Sequence, residues 1–426
     1  MTSWSCSSTL STFEPTPALT RQGWAGKVAA LANIAIDRIG YGAASPNAAE
    51  IIAAVRDQPG VHALESWDVR DALEQWCHSL RREADLNGIG RLAAHWDAVR
   101  MLRSLCRMAE EEARDPSSLE ETIEAPIFIT GMPRSGTTFL HRLLAEDPTN
   151  AVLRCWQGIS PFPPRHGSDR RRRRAEHQLR MLHRLAPGLA AAHPLTADTP
   201  QECSELMAPT FRSFRFDTTH HVPSYRRWLN EISHDKAYSL HRRFLQHMQH
   251  RTRQRRWVLK CPDHMFTLGA LQRAYPDACY VFLHRDPLKV LPSAARLTQL
   301  IRAPFARTVD PAVIGRQVAN DCHDNALRMI AAAQSPAVPA SQVIHLHYST
   351  VRDRPLDAVS AIYRQFGLDL TVVAQSAIEA EIARFPDGGY GHNVYQFEAY
   401  AIDAARERER FRCYTDYFDI SWEIGT

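Results

Sequence analysis

The stretch APIFITGMPRSGTTFLHRLL, residues 125–144, decides the fold. A short apolar run leads into Gly131 and Gly136, which are separated by four residues, and a segment with helical apolar spacing follows. A strand, a tight glycine loop and a helix N-terminus aim several backbone N–H groups at one point, where the helix dipole adds partial positive charge. The stretch therefore predicts a phosphate-binding loop at the end of a strand.

The residue after the second glycine is not the usual one. Nucleoside triphosphatases place a lysine there for the β- and γ-phosphates, followed by a Ser or Thr that holds Mg²⁺. Here that position is Thr137, and the cation lies inside the loop at Arg134. The loop that could contact a phosphate thus comprises Arg134, Ser135, Gly136, Thr137 and Thr138. The absence of the lysine argues against ATP hydrolysis.

Apolar runs beyond the loop alternate with helical stretches, a pattern typical of parallel strands joined by crossover helices. We predict an α/β fold: a P-loop-type parallel sheet flanked by helices, with an N-terminal helical subdomain. Strands are predicted at 126–130, 256–260, 278–284 and 342–348, and helices at 137–146, 267–275, 288–297 and 356–366.

Changes in composition predict the domain organisation. Residues 1–24 are rich in Ser and Thr and should be poorly ordered, and 25–120 should form a helical subdomain. The α/β domain should cover 121–426, with 149–255 as an insertion that builds an acceptor pocket. Within it, the arginines at 170–174 are interpreted as a solvated basic helix face, with a surface attracting an acidic acceptor as the alternative.

Composition excludes several classes of protein. The net charge of +4 over 426 residues is too small to indicate a nucleic-acid partner. Nine cysteines without a CxxC pair indicate reduced thiols and neither disulfides nor a metal site. Because no signal peptide or membrane span is recognisable, we expect a soluble, cytoplasmic protein; the sequence does not predict its oligomeric state.

A second anchor for phosphate is predicted in FLHRDPLKVLPSAARL. Arg285 follows a predicted strand, and Ser293 lies eight residues later, about two turns along the next helix. Both side chains could therefore reach one phosphate. Together with the glycine loop, they suggest a nucleotide that has two separated phosphates.

Three ordered segments carry a family resemblance: FITGMPRSGTTFLHRLLAEDP, RWVLKCPDHMFTLGALQRAYPDACYVFLHRDPLKVLPS and LHYSTVRDRPLDAVSAIYRQFGL. They resemble sulfotransferases that use 3′-phosphoadenosine 5′-phosphosulfate (PAPS), especially the bacterial branch with PRSGTT. The loop is also similar to that of tyrosylprotein sulfotransferases. The resemblance implies sulfuryl transfer to a small-molecule or conjugated acceptor with a hydroxyl, or an amine, leaving 3′,5′-adenosine bisphosphate.

The same resemblance implies where the donor binds. Residues 134–138 would hold the 5′-phosphosulfate, and Arg285 with Ser293 would hold the 3′-phosphate. This donor has no β–γ phosphate pair, so no metal is expected. Arg134 and Lys260 would stabilise the charge that grows on the leaving phosphate oxygen during in-line displacement.

The general base is not fixed by the resemblance. Cytosolic relatives have Lys-x-His at this strand end, but here His264 lies four residues after Lys260. Gln157 stands where a glutamate is expected, and an amide cannot accept the proton. The candidates are His264 and Glu202, with Glu205 on the same face as Glu202 if that segment is helical. Asp263 is expected to cap the helix that follows.

Two other functions stay open at this level. An inactive sulfotransferase-like protein would bind the nucleotide without transferring a group, and a P-loop kinase would bind Mg²⁺·ATP. The acceptor could be a sugar, a phenol, a lipid alcohol or a natural-product hydroxyl.

Overall fold

A computed structural model describes residues 45–252, 255–385 and 397–423. The segment 1–24, predicted to be poorly ordered, lies outside these ranges. The domain boundaries at 120 and 149–255 stay predictions.

Five parallel strands form one sheet at the centre of the described chain. Their order across the sheet is β2-β3-β1-β4-β5, so the strand that leads into the glycine loop is central. The strands are β1 (Ile127–Gly131), β2 (Asn150–Ala151), β3 (Arg256–Lys260), β4 (Cys279–His284) and β5 (Val343–His347). Each of the four predicted strands is present within one residue at either end, and β2 was not predicted.

Side chains alternate between the two faces of the sheet, as strand geometry requires. Phe128 of β1 packs in one apolar core with the N-terminal helices and the helices of the insertion. Ile127 and Ile129 pack in a second core with helices from the opposite face. Both faces are covered, which explains why the strands read as continuous apolar runs.

The helices that precede the sheet are α1 (Ala48–Ala53), α2 (Ala63–Ser66), α3 (Val69–Glu83) and α4 (Gly88–Arg114). Those of the central region are α5 (Thr137–Leu144), α6 (Cys155–Ile159), α7 (Arg171–Leu185), α8 (Pro187–Ala192), α9 (Ser204–Met207), α10 (Arg215–Thr219), α11 (Pro223–Glu231) and α12 (Asp235–Gln249). The remaining ones are α13 (Leu268–Ala274), α14 (Pro287–Arg302), α15 (Pro311–Gln334), α16 (Tyr348–Asp353), α17 (Pro355–Gln365), α18 (Val372–Arg384), α19 (Ala404–Arg410) and α20 (Arg412–Tyr417).

The parallel order brings the predicted site together. The carboxyl ends of β3, β1 and β4 lie side by side, and they carry Lys260, the glycine loop and Arg285. Ligands bind at this edge in open parallel sheets. The predicted α/β fold, a parallel sheet flanked by helices with a helical N-terminal region, is confirmed. No helix in the described ranges has both the length and the apolar character to cross a membrane.

Candidate active site

The glycine loop has the backbone conformation that its sequence predicts. Gly131 and Gly136 have φ of 138° and 91°, a region that L side chains rarely adopt. A Cβ atom on Gly136 would lie 2.8 Å from Cδ2 of Tyr348, and one on Gly131 would collide with the Leu283 carbonyl. Both positions therefore require glycine for space as well as for conformation.

The loop ends at the N-terminus of α5. Ser135 Oγ donates a hydrogen bond to the Met132 carbonyl at 2.7 Å and so holds the turn. Gly136 occupies the N-cap, and among the described residues no side chain caps this helix. The first N–H groups of a helix have no intrahelical acceptor, so they are available to an anion at Thr137 and Thr138.

The two predicted phosphate anchors meet in the structure. Arg134 Nε donates to Ser293 Oγ at 3.0 Å, and Arg285 Nη1 donates to the Arg134 carbonyl at 2.8 Å. The Arg285 guanidinium also stacks 3.8 Å above the centre of the Tyr348 ring and lies 3.3 Å from Glu423 Oε1. The two arginines and Ser293, predicted from separate motifs, thus form one polar cluster beside the glycine loop.

Helix α14 places Ser293 in this cluster. Asp286 is the N-cap of α14, and its Oδ1 accepts from the Leu288 N–H at 2.8 Å. Its Oδ2 accepts from the Glu423 N–H at 2.7 Å, which ties the C-terminal segment to the same point. The side chain of Ser293 is therefore set by a helix whose start is fixed next to Arg285.

Lys260 joins the loop to the region of the insertion. Its side chain is 2% exposed, and Nζ lies 2.5 Å from Glu202 Oε1 and 3.4 Å from Thr138 Oγ1. The Glu202 side chain is 32% exposed. A buried ammonium thus lies between a hydroxyl of the phosphate loop and a carboxylate that is open on its other side.

A cavity of about 300 Å³ opens beside this ion pair. It touches the phosphate loop at Pro133, and Glu202 forms part of its wall. The rest of the lining comes from residues 193–226, from the turn after β3, and from α14 and α15. Its volume is at the lower end of the range for small-molecule sites, about 300–1,000 Å³.

His264 and Asp263 lie in different environments from those predicted. His264 is completely buried, packs edge-on against Phe128, and has Nδ1 2.7 Å from the Tyr238 hydroxyl. Burial lowers the pKa of His264 well below its usual value, and the side chain does not line the cavity. The expectation that Asp263 caps the next helix is wrong: the 3₁₀ turn Pro262–Phe266 intervenes, and Asp263 lines the cavity.

The candidate Glu205, and Gln157 at the position where a glutamate is expected, both have partners within the protein. Glu205 lines the cavity, but Arg215 and Arg100 approach its carboxylate at 3.1 Å and 3.6 Å. Gln157, which replaces the expected glutamate, accepts the Arg154 N–H at 2.8 Å and caps α6. Glu202 is thus the predicted carboxylate that contacts both Lys260 and the cavity.

His193 is a lining residue that no sequence motif indicated. It lies in the segment after α8 and borders the cavity together with Glu202 and Pro133. Burial, and then the positive charge of Lys260, lower the pKa of His193 to about 4. The imidazole is therefore neutral at physiological pH and contributes no charge beside the ion pair.

The basic run at 170–174 lies at the start of α7. Arg171 pairs with Asp169 at 2.7 Å and stacks over Trp156, and Arg172 pairs with Asp198. The stretch FPDGGYGHNVYQFEAYAID, residues 385–403, is rich in glycine and aromatic residues, and its residues 386–396 lie outside the described ranges. Within 45–252, 255–385 and 397–423, no three or more His, Cys, Asp or Glu side chains are grouped as metal ligands.

The family profile described as "Sulfotransferase family" matches residues 126–372, more than half of the chain. The chain belongs to the sulfotransferase family. This confirms the resemblance of the three segments to sulfotransferases; the likeness to a branch with PRSGTT stays a prediction. The matched range begins at the first strand and includes the glycine loop, Lys260, Arg285 and Ser293.

Individual sulfotransferases are similar to this chain. The omega-hydroxy-beta-dihydromenaquinone-9 sulfotransferases Stf3 of Mycobacterium bovis and Mycobacterium tuberculosis are each 26% identical over 210 residues. That alignment covers 45% of this chain and 47% of theirs, so the chain spans about half the length of these curated relatives.

Solved structures extend the similarity over most of the chain. Sulfotransferase STF1 of Mycobacterium tuberculosis H37Rv superposes with a TM-score of 0.74 at 28% identity, covering 86% of this chain and 98% of that one. Sulfotransferase STF9 of Mycobacterium avium gives 0.73 at 25% identity, covering 86% and 97%. The similarity thus extends beyond the α/β core to the helical region.

Proposed function

We propose that the protein transfers a sulfuryl group from PAPS to a hydroxyl group of an acceptor by in-line displacement. The observation that carries this proposal is the position of Lys260. Its ammonium lies between Thr138 of the phosphate loop and Glu202 on the wall of the cavity. A cation there can act on a leaving oxygen on one side while a carboxylate acts on the acceptor from the other.

The residues around the loop fit the donor. The N–H groups at the start of α5, with Ser135, Gly136, Thr137 and Thr138, would bind the 5′-phosphosulfate. Arg285 and Ser293 would bind the 3′-phosphate, and Arg134 Nε lies 3.0 Å from Ser293 Oγ. A guanidinium is well suited to this contact because its N–H groups match two phosphate oxygens at once.

Arg134 and Lys260 would stabilise the departing phosphate. In the proposed step a bond forms between the acceptor oxygen and sulfur while the bond from sulfur to the phosphate oxygen breaks. Negative charge grows on that phosphate oxygen as in phosphoryl transfer. A preorganised cation in a buried site stabilises such charge strongly, and removal of one comparable donor typically costs about 10²–10³ in rate.

Glu202 would accept the proton of the acceptor hydroxyl. It borders the cavity and contacts Lys260, whereas His264 is buried away from the cavity with its Nδ1 beside Tyr238. We therefore assign the base to Glu202 and do not propose a catalytic role for His264. The proton leaves with Glu202 and the sulfuryl group stays on the acceptor oxygen, so the charges balance.

A thermal-shift titration tests this proposal. Only a ligand that binds the folded state raises Tm with concentration, by an amount that follows its affinity. We expect 3′,5′-adenosine bisphosphate, the proposed product, to raise Tm in EDTA, and Mg²⁺·ATP to raise it much less at equal concentration. Stabilisation by Mg²⁺·ATP alone would reject the sulfotransferase site in favour of a kinase-like one.

Transfer itself is tested with ³⁵S-labelled PAPS. Glu202→Gln keeps the shape of the side chain but removes its proton acceptor, and loss of a general base typically lowers rates about 10²- to 10⁴-fold. Glu205→Gln is the comparator, since Glu205 lines the same cavity but is paired with Arg215. A Glu202→Gln variant that transfers label at the wild-type rate would remove Glu202 from the mechanism.

A further inference from the structure

The cavity beside Glu202 has walls of two chemical kinds. Helix α14 contributes apolar side chains at Ala294, Leu297 and Ile301. Helix α15 contributes Gln317, Asp321 and Asn325, which recur every fourth residue and therefore lie on one face of the helix. An occupant must satisfy both kinds of wall.

Carboxylates outnumber cations in this lining. Five carboxylates and three guanidinium groups border the cavity: Glu202, Glu205, Asp217, Asp263 and Asp321 against Arg215, Arg226 and Arg302. Lys260 pairs with Glu202, and Arg215 pairs with Glu205. The other three carboxylates, those of Asp217, Asp263 and Asp321, share two guanidinium groups in this wall.

Asp263 is the carboxylate of these three that the Arg226 guanidinium does not contact. Arg226 approaches Asp321 at 3.2 Å and Asp217 at 4.0 Å. Arg302 donates to the backbone carbonyls of Asp217 and Thr218. Within the described ranges no Lys, Arg or His lies within 4.0 Å of the Asp263 carboxylate. Burial, and then the negative charge of Glu202, raise the pKa of Asp263 to about 7, although the positive charge of Arg226 acts in the opposite direction.

Asn325, which lines the same cavity as Asp263, adds an unused hydrogen-bond acceptor. Its residue surface is 1% exposed, and Nδ2 points at the Pro262 carbonyl at 3.5 Å. That contact favours this orientation of the amide, because reversal would bring two oxygens together. Its Oδ1 accepts no hydrogen bond from any described residue. A buried acceptor without a donor costs free energy unless a ligand supplies the donor.

We propose that the acceptor carries a protonated amine in addition to its hydroxyl, and that Asp263 and Asn325 bind this amine. The inference rests on the proposed sulfotransferase function. An ammonium supplies three N–H donors and one positive charge. These match the Asp263 carboxylate and the Asn325 carbonyl, with Asp321 one helical turn away adding negative charge. The apolar side chains of α14 would pack on the carbon skeleton that joins amine and hydroxyl.

The bound amine decides which atom is sulfated. A protonated nitrogen has no lone pair, so it cannot attack sulfur while Asp263 holds it as ammonium. The hydroxyl is then the nucleophile: its oxygen forms the bond to sulfur, its proton passes to Glu202, and the phosphate oxygen leaves. The product is a sulfate ester with its ammonium unchanged.

Binding measurements with a matched pair of phenols test the proposal. Tyramine and 4-ethylphenol share the ring, the hydroxyl and the two-carbon chain, and only tyramine carries an amine. We expect calorimetry, with and without saturating 3′,5′-adenosine bisphosphate, to give tyramine a Kd at least tenfold lower than that of 4-ethylphenol. A Kd that is equal or higher for tyramine, or no binding of either phenol, would overturn the proposal.

Variants then locate the amine. Asp263→Asn removes the charge, Asn325→Leu removes the acceptor, and each should reduce the preference for tyramine to about twofold or less. Asp324→Asn is the matched control, since Asp324 lies on α15 paired with Arg328 at 3.1 Å and does not line the cavity. The Asp324→Asn variant should keep the tenfold preference for tyramine over 4-ethylphenol.

A preference that survives in both test variants would overturn the assignment to Asp263 and Asn325. Failure of the proposed function gives a different result, because 3′,5′-adenosine bisphosphate would then not bind, whereas the preference for tyramine can be measured without any nucleotide. Circular dichroism of the variants confirms that each is folded before its Kd is compared.

Discussion

Replacement of Arg285 by alanine probes the proposed 3′-phosphate site directly. The change removes a guanidinium that is 11% exposed, stacks over Tyr348 at 3.8 Å and donates to the Arg134 carbonyl at 2.8 Å. Because the side chain is mostly buried, solvent would screen its attraction for a phosphate only weakly. The expected effect is therefore large and confined to ligands with a 3′-phosphate.

The loss of binding free energy caused by Arg285→Ala has two parts. A hydrogen bond to a charged group is worth about 1.5–3 kcal/mol, so loss of the 3′-phosphate contact should cost about 2 kcal/mol. Loss of the bond to the Arg134 carbonyl should loosen the loop at a cost of about 1 kcal/mol for any nucleotide. The Kd of 3′,5′-adenosine bisphosphate should then rise by about 150-fold, and that of adenosine 5′-monophosphate by about fivefold.

Isothermal titration calorimetry of 3′,5′-adenosine bisphosphate and of adenosine 5′-monophosphate, each with the wild type and with Arg285→Ala, gives four Kd values. Together they separate the 3′-phosphate contact from the effect on the loop. The expected coupling between Arg285 and the 3′-phosphate is about 30-fold. Arg354→Ala is the control, because Arg354 is exposed and its nearest carboxylate, that of Asp357, lies 3.9 Å away. Arg285→Lys should recover only part of the affinity, since lysine keeps the charge but cannot bind a phosphate in bidentate fashion.

The test compares how much Arg285→Ala weakens the binding of 3′,5′-adenosine bisphosphate with how much it weakens the binding of adenosine 5′-monophosphate. Equal weakening of both nucleotides would show that Arg285 acts only through the loop, and the 3′-phosphate assignment would fail. The Tm of each unliganded variant shows whether the loop change also lowers the stability of the fold.

Three further predictions concern other positions. Lys260→Ala should lower kcat about 10²- to 10³-fold while the Kd of 3′,5′-adenosine bisphosphate changes far less, and a normal kcat would exclude a role in the transition state. Gly136→Ala should abolish the nucleotide-induced rise in Tm, since its Cβ would meet Tyr348, whereas Gly367→Ala, at φ 63° in open space, should keep it. Burial raises the pKa of Asp217 to about 7 from 3.8. The folded state thus binds this proton more tightly than the unfolded state, and the stability that the proton contributes is lost as pH rises through 7. Between pH 5 and 8, the Tm of Asp217→Asn measured by calorimetry should therefore fall less than that of the wild type. An equal fall in Tm would contradict this prediction.

The parts of the site that the sequence predicted depend on local signals. The glycine loop could be located because two glycines and a Ser/Thr cluster fix one turn between a strand and a helix. The strands could be located because burial on both faces makes them continuous apolar runs. Strand β2 was missed because two residues, Asn150 and Ala151, give no pattern to detect.

The parts that the sequence did not predict depend on contacts between distant residues. Lys260 and Glu202 were both candidates, but they are 58 positions apart and nothing local indicates that they pair. The order of the strands is equally non-local. Asp263 was misassigned because a capping argument assumes that the helix starts at once, whereas Pro262 begins a 3₁₀ turn that delays it.

The contact between Lys260 and Glu202 has a consequence for when the acceptor can be activated. Without the donor, the ammonium holds the carboxylate that would activate the acceptor. Under the proposed mechanism, an arriving phosphosulfate would compete for the same ammonium and release Glu202 to the hydroxyl. An acceptor that enters first therefore meets a base that is already engaged. Under the proposed mechanism, PAPS thus supplies the sulfuryl group and also frees the base, so an acceptor that is already bound stays unactivated until the donor arrives.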